Sequence, residues 1–159
     1  MLKRTFNTKL ARNYWGAQAA GVLVIAESTG NILLAMRSSH VNESNTFGII
    51  SGAIDGGENP KEAAKREFEE ETNYNGNIKM YPAFIFSDEN FKFFNFIGLV
   101  EDEFKPTINW ETAYFKWVNL EELKKAHPKH FGLELLLKDA KSYKLIKKLV
   151  YYSGSVNIE

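Results

Sequence analysis

Residues 52–74 read Gly52-Ala53-Ile54-Asp55-Gly56-Gly57-Glu58-Asn59-Pro60-Lys61-Glu62-Ala63-Ala64-Lys65-Arg66-Glu67-Phe68-Glu69-Glu70-Glu71-Thr72-Asn73-Tyr74, a glycine-bearing loop running into a strongly acidic helix. Asn59 is a favoured N-cap, Pro60 suits the first turn, and Glu62 completes a capping-box pattern. The helix is predicted to end near Thr72, because Asn73 tolerates the left-handed conformation of a helix stop and Asn75-Gly76 follows. At about 100° per residue, Glu67, Glu70 and Glu71 share an arc with Ala63, and Ala64 and Phe68 lie beside it. Glu62, Lys65 and Glu69 take the opposite, solvent-facing side. Three carboxylates therefore sit on the side of the apolar residues.

A run such as Glu69-Glu70-Glu71 is often just a solvated face. Two features set this one apart. Like charges at i,i+3 and i,i+4 cost an isolated helix about 0.2–0.5 kcal/mol per pair. Carboxylates in the last turn also oppose the negative end of the helix dipole, at about 0.3–1 kcal/mol each. Arg66 can reach Glu62 and Glu70 and offsets part of this. From residue 55 to residue 71 the acids are 55, 58, 62, 67, 69, 70 and 71 and the bases 61, 65 and 66, a local excess of negative charge in a chain of zero net charge. An external cation is the better reading. Oxygen ligands, without cysteine and with no histidine in the segment, suit a hard divalent ion such as Mg²⁺ or Mn²⁺. Mg²⁺ characteristically combines one or two carboxylates with substrate phosphates, so the helix is a platform for a phosphate-bearing ligand. The Asp/Asn positions and loop glycine of an EF-hand are missing around Asp55.

Gly52, five residues, Glu58, seven residues, then Arg66 to Tyr74 resembles the Nudix box: Gly, any five, Glu, any seven, Arg-Glu, an aliphatic or aromatic residue, any one, Glu-Glu, any one, Gly and a hydrophobic residue. The late Gly is replaced by Asn73, the commonest non-glycine residue in the left-handed conformation, which preserves the stop. Many members carry Pro-Gly before the box glycine; this chain has Ile50-Ser51. The similarity runs over roughly residues 17–125, with the hairpin from Gly21 to Arg37 before the box, and Glu111, Trp117-Val118 and Glu121-Glu122-Leu123 after it. The resemblance implies an α/β fold, specifically an α/β/α sandwich with a mixed β-sheet. It implies hydrolysis of the pyrophosphate bond of a nucleoside diphosphate linked to another moiety, with Mg²⁺ or Mn²⁺ as cofactor. Carried onto this chain, Glu67, Glu70 and Glu71 hold the cations and Glu58 helps to position a metal or water. Arg66 orients the carboxylates. Gly52, Gly56 and Gly57 either let the loop approach the ligand or are simple turn glycines. Similar enzymes take the general base from the box or from a later loop; Glu111 is the first candidate outside the box, followed by Glu101 and Glu103. Alternatives are a silent nucleotide-binding or regulatory module of the same fold, and an isoprenoid diphosphate isomerase, which usually relies on a cysteine absent here.

Outward from the box, Gly21 to Ala26 and Ile32 to Met36 read as strands joined by the turn Ser28-Thr29-Gly30-Asn31. Residues 78–86, 91–100 and 113–118 read as further strands. Residues 120–126 suggest a short helix, and residues 131–150 a long amphipathic C-terminal helix, with Leu135, Leu136, Tyr143, Ile146 and Val150 near a 3.6-residue period. The 159 residues argue for one domain, 1–159, that includes a basic N-terminal arm over residues 1–16. Twenty Lys and Arg against twenty Asp and Glu weigh against general nucleic-acid binding. The absence of cysteine excludes disulfides and thiolate chemistry and fits a cytoplasmic setting. No apolar run is long enough to span a membrane. The expected partner is a small nucleotide-type substrate, and a homodimer is common among similar proteins. His40, His127 and His130 are scattered, with no zinc-site spacing. Phe47, Phe84, Phe86 and Trp110 could stack a base, although core packing is the simpler reading of each.

Overall fold

The computed structural model describes residues 17–41 and 43–155; the arm at residues 1–16 lies outside them. Strand β1 (Gln18–Ala26) is the spine of a seven-stranded sheet. It meets β2 (Ile32–Arg37) antiparallel at Val24↔Leu33 and Ile25↔Ile32, as the turn residues predict. The other half of the same edge pairs with β4 (Ile50–Ala53), so Gly52 stands opposite Ala20. On its far edge β1 runs parallel to β6 (Lys92–Val100) along its whole length, and β5 (Lys79–Ser87) closes that side antiparallel. β2 also pairs with the two-residue β3 (Phe47–Gly48) and with β7 (Thr112–Val118). One parallel pair among antiparallel ones makes the sheet mixed.

Helices cover both faces, and this explains why β1 reads as an unbroken apolar run rather than an alternating one. On one side Val22, Val24, Ile50 and Phe96 pack against Ala63, Ala64 and Phe68 of α1 (Pro60–Thr72). On the other, Leu23, Ile25, Leu34 and Ile97 pack against Leu123 of α2 (Leu120–Lys125), Leu133 and Leu136 of α3 (Phe131–Lys138), and Ile146 of α4 (Ala140–Ser155). The result is the expected α/β/α sandwich. Among the described residues no helix is long and apolar enough to cross a membrane.

The single helix predicted over residues 131–150 is two helices. Asp139 is extended (φ −72°, ψ 116°) and its carboxylate accepts from the Ser142 N–H at 3.0 Å and the Ser142 hydroxyl at 2.7 Å, capping α4. The apolar period survives the break because both helices lie on the same sheet face. The capping of α1 matches its sequence: Asn59 accepts from the Glu62 N–H at 2.9 Å, and Glu62 returns the bond to the Asn59 N–H at 3.3 Å. Asn73 has φ 61° and its N–H donates to Glu69 O at 2.8 Å. Replacing Asn73 by Gly should leave urea stability nearly unchanged, whereas Asn73→Ala should lower it by about 1 kcal/mol, because a Cβ without a polar group is strained in that conformation.

Candidate active site

The outward side of α1 is organised by Arg66. Its Nε and Nη2 donate to the two oxygens of Glu58 at 2.8 and 3.0 Å, and Nη2 also donates to Ala53 O at 3.0 Å. Its Nη1 donates to Glu67 at 2.9 Å and Glu70 at 3.2 Å. One planar fork thus joins the end of β4, the glycine loop and two turns of the helix. Glu58 also accepts from the Asp55 N–H at 2.9 Å. These bonds, Arg66 first and Asp55 second, hold the Glu58 carboxyl below the usual range. The Arg66 guanidinium is raised in turn, mainly by its bond to Glu58.

Gly52 shows why that position carries no side chain. β4 lies directly under α1, and a Cβ built there would fall on the Glu67 carboxyl group. Gly57 has φ +88°, in the left-handed region, which a side chain would strain. Gly56 has open space around it and shows no such constraint.

Glu67, Glu70 and Glu71 share one arc of the helical wheel but not one environment. The Glu67 side chain is 16% exposed and that of Glu70 60%. Glu71 is half-buried at the end of the helix, where it turns toward the sheet. The helix axis decides this: Glu67 and Glu71 lie one turn apart on the side facing β4, while Glu70 is rotated to the open side, where Arg66 reaches it. Glu67 is pushed above its ordinary pKa, mainly by burial and against the Arg66 bond, with Glu70 and Glu111 adding to the rise. Glu71 is pushed up to about 9, first by burial, then by the charges of Glu111 and Glu67. No hydrogen bond among the described residues reaches its carboxylate.

Glu111 enters from the loop before β7. The Ser38 N–H donates to its carbonyl at 2.9 Å, and its own N–H donates to Asn109 Oδ1 at 2.9 Å. Together with Arg37, Val41, Ser51 and Thr112 it lines a small cleft that Glu71 closes from the helix side. Glu101 and Glu103, also considered for the base, lie at the opposite end of the sheet. The Glu101 carbonyl accepts from the Ser28 N–H at 3.0 Å, and Glu103 accepts from Asn31 Nδ2 at 3.2 Å. Chain distance from Glu111 is small, but the loop carries the chain from one sheet end to the other. The aromatic candidates separate too. Phe47 is a core side chain, Phe84 and Phe86 pack against the same core, and Trp110, beside Glu111, is 63% exposed.

Arg37 was not singled out in the sequence. It ends β2 in register with Thr112, and its charge opposes the upward shift of Glu71. A basic residue closing an apolar strand, followed by a polar loop, was the available signal. Among the described residues no three His, Asp or Glu side chains are gathered as a ready cage for a metal ion. Arg66 occupies both oxygens of Glu58 and one each of Glu67 and Glu70, which leaves Glu71, Glu111 and the second oxygens of Glu67 and Glu70 as carboxylate donors with spare capacity.

The NUDIX domain family model matches residues 16–139. The chain belongs to the NUDIX family. No protein of curated function matches it. The fold is similar to that of a Nudix hydrolase of M. smegmatis, RenU, at 20% identity and TM-score 0.68, over 90% of this chain and 88% of the other. A NUDIX-family hydrolase of Clostridium perfringens aligns at 18% identity and TM-score 0.63, over 84% and 97% of the two chains. A C. elegans Ap4A hydrolase aligns at 18% and 0.60, over 87% and 98%. In this NUDIX domain the box residues from Gly52 to Tyr74 are the loop, helix and stop described above.

Two outcomes follow for the family site in this chain. Gly52→Ala should displace Glu67 and lower kcat by at least about tenfold without unfolding the protein, checked by steady-state kinetics beside far-UV circular dichroism. Stability should depend on pH through Glu71. An acid whose folded pKa of about 9 exceeds its ordinary 4.5 keeps its proton in the folded chain while the unfolded chain ionises. Rising pH between those values therefore favours unfolding. Without divalent ions the melting temperature should fall across that window, and Glu71→Gln should flatten the fall.

Proposed function

We propose that this NUDIX-family pyrophosphohydrolase cleaves the pyrophosphate bond of a nucleoside diphosphate linked to another moiety, with Mg²⁺ or Mn²⁺ as its cofactor. Glu71 is the observation that carries the reading. A half-buried carboxylate without a hydrogen-bond partner among the described residues, facing Glu67 and Glu111, is unfavourable in an isolated domain. The donor set is all oxygen and acidic, which fits a hard divalent ion, and divalent ions are general in the family. Glu67, Glu70 and Glu71 would hold it, with Glu58 kept ionised by Arg66 as a fourth acid at the site's edge. When bound, such an ion neutralises pyrophosphate oxygens and lowers the pKa of an attacking water.

The remaining chemistry falls to the chain. Glu111 lies across the cleft from Glu71, away from the bonds of Arg66, and is the residue we assign as acceptor of the water proton. The Arg37 guanidinium, on the cleft wall, suits phosphate oxygens through its planar fork. Arg66 orients the acids and does not meet substrate. Trp110, exposed next to Glu111, offers an aromatic face for a base.

A panel of nucleoside triphosphates, ADP-ribose, nucleotide sugars, dinucleoside polyphosphates and capped RNA, assayed for phosphate and nucleotide release, tests the reading. The likeness to an Ap4A hydrolase makes the dinucleoside polyphosphates a natural arm of it. At least one substrate should be cleaved with Mg²⁺ or Mn²⁺ and none with EDTA. Glu70→Gln should lower kcat by about 10²–10⁴; a parental kcat would remove Glu70 from the site. Nucleotide binding with no turnover anywhere in the panel would favour the silent-module alternative.

A further inference from the structure

Between β2 and β3 the chain makes an excursion, of which residues 38–41 and 43–46 are described. Its base is closed by backbone bonds: the Arg37 N–H donates to Thr46 O at 2.9 Å, and the Asn45 N–H donates to Arg37 O at 3.1 Å. Near that base the loop meets the cleft, through the Ser38 N–H on Glu111 O and through Val41 in the wall. Its far end meets the segment before α3, where the Phe47 N–H donates to Pro128 O at 2.8 Å and the His130 N–H to Phe47 O at 2.7 Å, and Glu43 adds a side-chain fastening there.

That fastening is a buried polar contact across the fold. Glu43 Oε2 lies 2.9 Å from His130 Nε2 and accepts from the Phe131 N–H at 3.1 Å, with side chains only 15% and 9% exposed. His130 Nδ1 accepts from the Gly132 N–H at 3.0 Å as the N-cap of α3. An imidazole nitrogen that accepts carries no proton, so the ring hydrogen sits on Nε2 and faces Glu43. The ring also has space reserved for it. A Cβ at Gly132 would come within 3.2 Å of Nδ1, and one at Gly48 within 3.3 Å of the His130 Cβ. Glu43 meanwhile holds φ 50°, an unfavourable conformation for a residue with a side chain. Capping α3 needs His130 alone, and closing the loop needs only its base. Thr46 Oγ1 donates to Glu43 O at 2.6 Å, which accounts for the turn at residue 43 but not for a carboxylate withdrawn from water.

We propose that Glu43 and His130 are positioning residues, a latch that fixes loop 38–46 against the start of α3 and thereby sets the Val41 wall of the substrate cleft. The inference rests on the hydrolase reading of that cleft. Glu111 is tied at the loop base, independently of Glu43, so releasing the latch shifts the wall and leaves the proton acceptor in place. Substrate fit suffers; the chemical step does not.

Three variants separate latch from fold. His130→Asn keeps a capping oxygen in place of Nδ1 but is too short to reach Glu43. Glu43→Gln keeps an acceptor for both the Phe131 N–H and the His130 Nε2–H. His130→Asn and Glu43→Ala should raise KM about tenfold or more with kcat near the parent's, and should speed amide hydrogen exchange across 38–46. Glu43→Gln should match the parent in both measurements. Parental KM or parental loop exchange in His130→Asn overturns the latch. So does a loss in which kcat falls and KM holds, or one that Glu43→Gln shares. If the parent cleaves nothing in the panel, the hydrolase reading fails by itself. ADP affinity with Mg²⁺, measured by calorimetry, then replaces KM: weaker binding in His130→Asn alone sustains the latch, and equal binding in both variants overturns it.

Discussion

Four acids crowd one side of a loop and a helix in this protein, and one guanidinium makes the arrangement tolerable. Arg66 reaches Glu58, Glu67, Glu70 and the Ala53 carbonyl, and its Nη2 also lies 3.3 Å from Asp55. Planarity matters here. A guanidinium can donate in several fixed directions at once, so it sets geometry as well as neutralising charge, which a lysine ammonium on a flexible stem could not do. The glycine loop, the end of β4 and α1 become one rigid unit. Gly52 completes it by allowing the Glu67 carboxyl to sit directly on the strand below.

Arg66 compensates only one end of the acidic helix. A turn further on, Glu71 points inward to where Glu111 arrives from a separate loop and Arg37 from the end of β2. Electrostatics at the two ends of α1 therefore differ in kind. Glu58 and its neighbours are satisfied by the protein, whereas Glu71 holds its proton because burial and the charges of Glu111 and Glu67 oppose its ionisation. A fold that tolerates this loses stability locally, and strongly shifted groups of this kind gather at functional sites.

The sheet explains why these groups meet. β1 is long enough to pair with β4 at one end and with β2 at the other, which brings Ser51 and Arg37 to the same end under α1. β7 then pairs with β2 and delivers Thr112 and the preceding Glu111 beside Arg37. The loop 38–46, tied at its base and again at Glu43, borders that end from outside. The clustered acids and Arg37 thus come from a rigid helix and from strand ends, and loops frame them.

The amino-acid sequence by itself determined what depends on near neighbours. The capping box at Asn59, the stop at Asn73, the β1–β2 hairpin and the alignment of Glu67 with Glu71 follow from spacings of four residues or fewer, so they were legible. The exposure of Glu70 was not, because a wheel shows direction around an axis and not how far the helix projects past the sheet. The break at Asp139 was hidden by an apolar period that continues across it. Only the tertiary structure decided that Glu111 and not Glu101 stands by Glu71, that Arg37 joins them, and that His130 meets Glu43. Each of these depends on strand pairing or contacts between segments distant in the chain, such as the parallel β1–β6 register. Local chemistry carries no record of which remote segment will supply a partner; that is settled when the two apolar faces of the sheet are buried together.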